Sequence, residues 1–368
     1  MTMKLKYYNN LDGIRAIAAL MVMIFHFFQA FDPNSYFWQT IKKVSVFGQT
    51  GVTLFFVLSG FLITRILINT KETEGYFKNF YLRRTLRIFP LYYLFLILSY
   101  FIVPYILDAK IPDFSQQIYY YLYLQNFAST FSWDAVGPSH FWSLAVEEHF
   151  YLFWPLVIYL FSRKNLIKII IGIIVFALLL RIYMVNKNLD VFKFTFTRFD
   201  SLAIGAILAI LELKNYFTRE NIKKFVILLC GIFIPTITIW LFISGDKNTY
   251  IQIFKYLLIS FTYFSLIGFV LCLKSDHLIN KFLRSRFLVY TGKISYGLYV
   301  YHPLAYALCD NYLNTNSQII NLLIRFTATY ILAALSYHFF ESAFLRLKKY
   351  FEYSDKRKNE KIERKLLM

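Results

Sequence analysis

Charge is scarce in this chain. Only 17% of its 368 residues are Asp, Glu, Lys or Arg, while 58% are hydrophobic. A soluble domain carries roughly 25% charge and 45–50% apolar residues, so an ordinary water-soluble globule is excluded. Cysteine is scarcer still. Cys230, Cys272 and Cys309 lie in or beside apolar stretches with no CxxC spacing, which excludes a disulfide framework and leaves them as small core residues. Acidic residues number 21 against 40 basic ones. The net charge of +19 would suggest nucleic acid in a soluble protein. Here no recognition module and no basic helix with aromatic platforms is found, so no nucleic-acid partner is expected. No internal repeat and no appended soluble domain is found either. The first apolar run follows Lys4 and Lys6, contains Arg15 and His26, and lacks a clear small-residue cleavage site. It reads as a retained helix rather than a signal peptide.

Aromatic residues and apolar runs are abundant. Phe occurs 41 times and Tyr 30 times, which suits both a hydrocarbon core and the belts that flank it. A helix needs about 20 apolar residues to cross a bilayer. Ten runs qualify, at approximately 11–31, 48–68, 88–107, 142–162, 166–185, 200–213, 225–244, 251–273, 293–312 and 319–344. With the N-terminus inside, 28 of the Lys and Arg residues fall in cytoplasmic segments and seven in the opposite ones. That asymmetry predicts an even number of crossings and both termini in the cytoplasm. The expected fold is therefore all-α: a polytopic transmembrane bundle of about ten helices over residues 1–345, followed by a basic cytoplasmic tail over 346–368.

Ionisable groups inside such spans are costly and mark functional sites. Arg15 and His26 are eleven residues apart in LDGIRAIAALMVMIFHFF, about three helical turns, so they share a face at different depths. A histidine has the intrinsic pKa of a proton shuttle. HFWSLAVEEHFYLFWP carries Glu147 and Glu148. They are expected in the outer third at the depth of His26, with one of them orienting its imidazole. Arg83, Arg84 and Arg87 crowd the start of the third run. They are either topology anchors or a phosphate site, since guanidinium forks match phosphate oxygens. In TRFDSLAIG, Asp200 is expected to pair with Arg198 or to cap the helix. His302, just before Pro303, and the pair His338 and Glu341 are further polar positions. Buried Arg, His and Glu also occur in ion and substrate pathways, so a transporter is the rival reading, although no matched broken helices are found.

LDGIRAIAALMVMIFHF, GVTLFFVLSGFLIT, RRTLRIFP, HFWSLAVEEHFYLFWP, RFDSLAIG and KISYGLYVYHPL follow one another in this order. Together they resemble the acyltransferase 3 family of integral-membrane O-acyltransferases over nearly the whole chain. The resemblance implies transfer of an acyl group, usually acetyl, from cytoplasmic acyl-CoA to a carbohydrate hydroxyl. It implies that His26 is the catalytic histidine and Arg15 essential to the site. It further implies that Glu147 fills the glutamate position of a WSLxxE motif and that Arg83, Arg84 and Arg87 face the CoA. Trp142, Ser143, Glu148, Asp200 and His302 complete the candidate set. Whether His26 acts as a base or carries the acyl group stays open. No tightly bound cofactor and no metal are expected. The expected partners are an acyl-CoA donor, a glycan or lipid-linked sugar acceptor and the bilayer of a bacterial plasma membrane.

Overall fold

The computed structural model describes residues 7–30, 35–106, 108–242 and 250–353, with backbone alone for 239–242. Every regular element among them is helical. The helices are α1 (Asn9–Gln29), α2 (Tyr36–Ser45), α3 (Gly51–Thr70), α4 (Tyr76–Ile97), α5 (Phe114–Tyr121), α6 (Gln125–Thr130), α7 (Trp142–Leu160), α8 (Arg163–Asn186), α9 (Thr195–Leu213), α10 (Ile222–Phe242), α11 (Ile251–Cys272), α12 (Leu278–Leu283), α13 (Arg286–Lys293), α14 (Ser295–Tyr312) and α15 (Gln318–Leu335). Single π-turns prolong α4 through Leu98–Ile102 and α15 through Ser336–Glu341.

Among the described residues, seven helical stretches are long and apolar enough to cross a membrane. The other three predicted runs are also helices, α7, α9 and α14, of 19, 19 and 18 residues. These three carry Glu147, Glu148, Arg198, Asp200 and His302. They lie inside the bundle, so neighbouring helices rather than lipid meet their polar groups. The outer helices show the reverse pattern. On α8, Ile167, Ile171, Val175, Leu179 and Ile182 point outward, at the three-to-four-residue spacing of one helix face. Cys230 on α10 is likewise exposed, whereas Cys272 and Cys309 are buried.

α9 crosses α3 at very short range. A Cβ at Gly60 would stand 1.9 Å from Leu202 O, and one at Gly205 would stand 2.0 Å from Val57 O. Without a hydrophobic driving force between helices in lipid, such small-residue contacts let the backbones pack closely. Gly205→Val is expected to destabilise the bundle by about 1–3 kcal/mol, read as a lower unfolding midpoint of the detergent-solubilised chain.

Both described chain ends lie at one end of the bundle, where Tyr7 and Lys348 line the same cavity as Arg84 and Arg87. The segment from Lys348 does not leave the bundle. Arg83 Nη1 donates to Lys348 O (2.8 Å) and Phe351 O (3.2 Å), and Asn79 donates to Glu352 O (3.2 Å). Residues 354–368 of the predicted tail lie outside the described residues.

Candidate functional site

At the arginine-rich end a cavity of about 390 Å³ enters the bundle. Arg15, Arg84, Arg87, Lys293 and Lys348 line it, against the two acids Asp12 and Glu147. Each cation comes from a different stretch of chain, except for Arg84 and Arg87, which lie three residues apart on one face of α4. Arg15 is held by Asp12 (Nη1–Oδ1, 2.9 Å), and the Tyr7 hydroxyl closes on the other Asp12 oxygen. Burial, and then that contact, push the Tyr7 phenol up to about 12, so it stays a hydrogen-bond donor at neutral pH. Of the three arginines expected to face CoA, Arg84 and Arg87 line the cavity. Arg83 does not, and ties down Lys348 and Phe351 instead. Lys293 and Lys348 escaped the sequence reading as site residues, because they were counted only as positive-inside charge.

Glu147 also lines this cavity, beside Ser59 and Tyr151, whose hydroxyls are 2.5 Å apart, and in the field of Arg84 and Arg15. The expectation that a carboxylate at this position orients His26 is therefore corrected. The reason is depth. The connection from residue 108 to 141 folds down against α4, through Tyr92 to Tyr120 O (2.7 Å), Tyr100 to Val136 O (2.8 Å) and Gln125 Nε2 to Tyr92 Oη (3.3 Å). This brings His140, not Glu147, level with the histidine at the end of α1. Seven residues further along, Glu147 lies about 10 Å closer to the arginines. Glu148, one residue on and turned by 100°, faces Tyr93 and Tyr123.

The partner of His26 is His302. The two rings meet through His26 Nδ1 and His302 Nε2 at 3.0 Å, with centroids 4.8 Å apart. His140 packs edge-on against His302 at 5.4 Å and contacts Val300 O through Nε2 (3.1 Å). The backbone sets the tautomers. Pro303 has no N–H, so the carbonyl four residues before it, Tyr299 O, is left without its helical donor. His302 Nδ1 lies 2.8 Å from that oxygen. A carbonyl only accepts, so Nδ1 carries the proton and His302 Nε2 offers a lone pair. His26 Nδ1 lies 3.0 Å from both that nitrogen and Val22 O, so it carries the proton and shares it between them, which leaves His26 Nε2 as the basic nitrogen. His26 is half-buried, whereas His140 and His302 are buried. Sequence reasoning named His302 without a partner and passed over His140; the His-Pro dipeptide was the available signal.

Ser143 and Tyr299 join cavity and histidines. Both line the cavity, and their hydroxyls are 2.6 Å apart. The Tyr299 hydroxyl donates to His140 O (2.6 Å), and its ring stands 5.8 Å from that of His302.

Asp200 neither pairs with Arg198 nor caps α9. Its Oδ2 lies 2.8 Å from Arg181 Nη1 of α8, with both side chains fully buried. The geometry is an ion pair too bent for a hydrogen bond, and Nη1 donates instead to Thr197 O (2.6 Å). Asp200 Oδ1 accepts from Ser201 N (2.8 Å). Residues two apart on a helix are turned about 200° from each other, so Arg198 and Asp200 face different neighbours. Arg198 stacks on Tyr256 at 4.1 Å, within 6.0 Å of Trp142, and donates to Thr53 Oγ1 (2.8 Å). Trp142 is thus part of an aromatic wall around Arg198.

The fold and site define a multi-pass membrane protein with a cation-lined cavity that leads towards a histidine pair. The chain belongs to the acyltransferase 3 family, whose model, described as an acyltransferase domain, matches residues 8–338. It is similar to O-acetyltransferase OatA of Staphylococcus aureus strain NCTC 8325, with 30% identity over 360 residues covering 92% of this chain and 57% of the relative. It is similar also to a putative O-acetyltransferase of S. aureus strain COL, with 31% identity over 365 residues covering 93% and 58%. The chain thus spans less than two thirds of the length of these relatives. No solved structure matches it.

Proposed function

We propose that this chain is a bacterial plasma-membrane O-acetyltransferase. In this reading it takes acetyl from acetyl-CoA at the arginine-rich end, which faces the cytoplasm with both termini, and passes it to a hydroxyl of a cell-surface or lipid-linked carbohydrate. The observation that carries the proposal is the five-cation cavity that ends, at Ser143 and Tyr299, against a histidine pair with a free basic nitrogen. The names of the relatives point to acetyl as the group and oxygen as the acceptor.

A CoA thioester is long, thin and anionic at one end. Arg84, Arg87, Lys293 and Lys348 meet its phosphates, and the Arg84 and Arg87 guanidiniums make charge-assisted bonds to their oxygens. Asp12 holds Arg15 in place within this cluster, and Glu147 lies in the field of Arg84. The acetyl end passes the Ser143–Tyr299 pair to reach His26. The acceptor hydroxyl gives its proton to His26 Nε2 as its oxygen attacks the thioester carbonyl. The tetrahedral intermediate collapses, the carbon–sulfur bond breaks, and the CoA sulfur takes the proton back from His26. His302 accepts the His26 Nδ1 hydrogen bond throughout and stabilises the imidazolium, as an orienting group does for a catalytic base. No resident cofactor takes part in this scheme.

Radiolabelled acetyl-CoA supplied to membranes containing the chain tests it. Label should enter a glycan in a His26-dependent manner; label that appears equally with His26→Ala sinks the reading. The donor end has its own test. Arg84→Ala and Arg87→Ala are each expected to raise the acetyl-CoA KM about tenfold, because each removes a charged bond to phosphate. Arg83→Ala should leave that KM nearly unchanged.

A further inference from the structure

At the end of the bundle opposite the arginines lies a second cavity, of about 490 Å³. The donor route makes no use of it. It opens between the last turn of α1, the turn preceding α3, the connection after α8 and the first turns of α11. Its lining combines three aromatic rings, Phe25, Phe192 and Tyr256, and four aliphatic side chains with three side-chain amides, Gln29, Gln49 and Gln252. One acid, Asp190, and one base, Lys255, leave it close to neutral.

This lining selects among ligand chemistries. An acyl chain would desolvate the Gln29 and Gln49 amides without offering them hydrogen bonds, which is costly. A phosphate would find one lysine beside a carboxylate. A pyranose matches both halves of the wall. Its C–H face lies flat on aromatic rings, and its hydroxyls both donate and accept, as amides do.

The aromatic part is fixed in place. Tyr256, 2% exposed, backs Phe192, with ring centroids 6.1 Å apart and planes inclined by 36°. Beneath it lies Arg198, 1% exposed, with its guanidinium 4.1 Å from the Tyr256 ring and 5.9 Å from that of Phe192. Its Nε and Nη1 meet no acceptor among the described residues. The Tyr256 hydroxyl donates to Gln252 Oε1 (2.5 Å), and Asp190 Oδ1 accepts from Phe192 N (2.7 Å), so one amide and the turn carrying Phe192 are oriented from within. The cavity is also close to the chemistry. Phe25, in its wall, packs edge-on against His26 with centroids 4.9 Å apart.

We propose that this cavity is the acceptor subsite and takes a pyranose ring of a glycan. Phe192, backed by Tyr256, is the stacking face, Gln29, Gln49 and Gln252 bind hydroxyls, and Arg198 is a positioning residue beneath them. The proposal rests on the acyl-transfer reading above and gives the RFDSLAIG segment a role.

The test uses membranes of cells that make the full chain, with their own surface glycan as acceptor and His26→Ala as the blank. Labelled acetyl-CoA is varied, and label in the glycan fraction is counted. Phe192→Ala and Gln49→Ala are each expected to cut the maximal transfer rate about tenfold, the scale of one lost stacking or hydrogen-bonding contact, with the donor KM unchanged within about twofold. Phe192→Tyr, which keeps the ring, should recover most of the loss. Wild-type rates in both alanine variants overturn the subsite, as does a loss expressed as a raised donor KM or one that Phe192→Tyr does not relieve. If the unmodified chain labels no glycan above the blank, the acyl-transfer reading falls and the subsite with it.

Discussion

Replacing His26 by alanine is expected to lower acetyl transfer by about 100- to 10,000-fold, the range a positioned acid–base group supplies. The donor KM should change little, because His26 lies beyond the cavity that holds the cations. His302→Ala should cost less, since it removes one of the two acceptors of the Nδ1 proton, leaving Val22 O, and leaves the basic nitrogen. Its loss should fall on the maximal rate and not on the donor KM. The relay makes a sharper demand at residue 303. Pro303→Ala restores a backbone N–H that competes with His302 Nδ1 for Tyr299 O. The His302 tautomer is then no longer fixed, and the rate should fall although no side chain that touches substrate has changed. Initial rates with labelled acetyl-CoA for the three variants check the ordering. A Pro303→Ala enzyme as fast as the unmodified one would show that the freed carbonyl is not what sets the histidine pair.

Asp200→Ala is expected to be the most damaging change to stability. It leaves Arg181, fully buried, without its counter-charge in the interior of a membrane bundle. Removing one partner of a buried ion pair costs about 3–5 kcal/mol. Asp200→Asn should recover part of this, because it keeps an acceptor for Ser201 N. The double change Arg181→Met with Asp200→Leu should recover more than either single change, since it removes both charges. The unfolding midpoint of the solubilised protein measures all three. An Asp200→Ala variant as stable as the parent would mean that water or another group reaches Arg181.

Much of the fold was legible along the chain, and the misreadings share a form. The apolar runs marked helices, because membrane insertion depends on a local sum of side-chain transfer energies over about 20 residues. The runs at 142–162, 200–213 and 293–312 are helices, yet they are the short and polar ones, and their polar groups face other helices. Arg83, Arg84 and Arg87 read as one cluster, of which only Arg84 and Arg87 line the cavity. Arg83 is adjacent in sequence but turned 100° away, which sends it to Lys348 and Phe351. The pairing of Asp200 with Arg198 had sequence proximity in its favour and helical geometry against it, since positions two apart do not share a face. Glu147 was assigned the depth of His26 on the assumption that residue 142 begins at the membrane surface. The connection before it dips into the bundle, so His140 takes that level and Glu147 joins the arginines.

The sequence by itself determined what depends on neighbours along one helix. That includes the crossings, the shared face and three-turn separation of Arg15 and His26, and the carbonyl that Pro303 leaves free for His302. Only the tertiary structure decided what depends on which helices touch and in what register: His302 as the partner of His26, Arg181 as that of Asp200, and Lys293 and Lys348 in the cavity with Arg84 and Arg87. These choices were hidden because in lipid they follow from close backbone contacts, such as Gly60 on Leu202 and Gly205 on Val57. Hydropathy carries no information about such contacts.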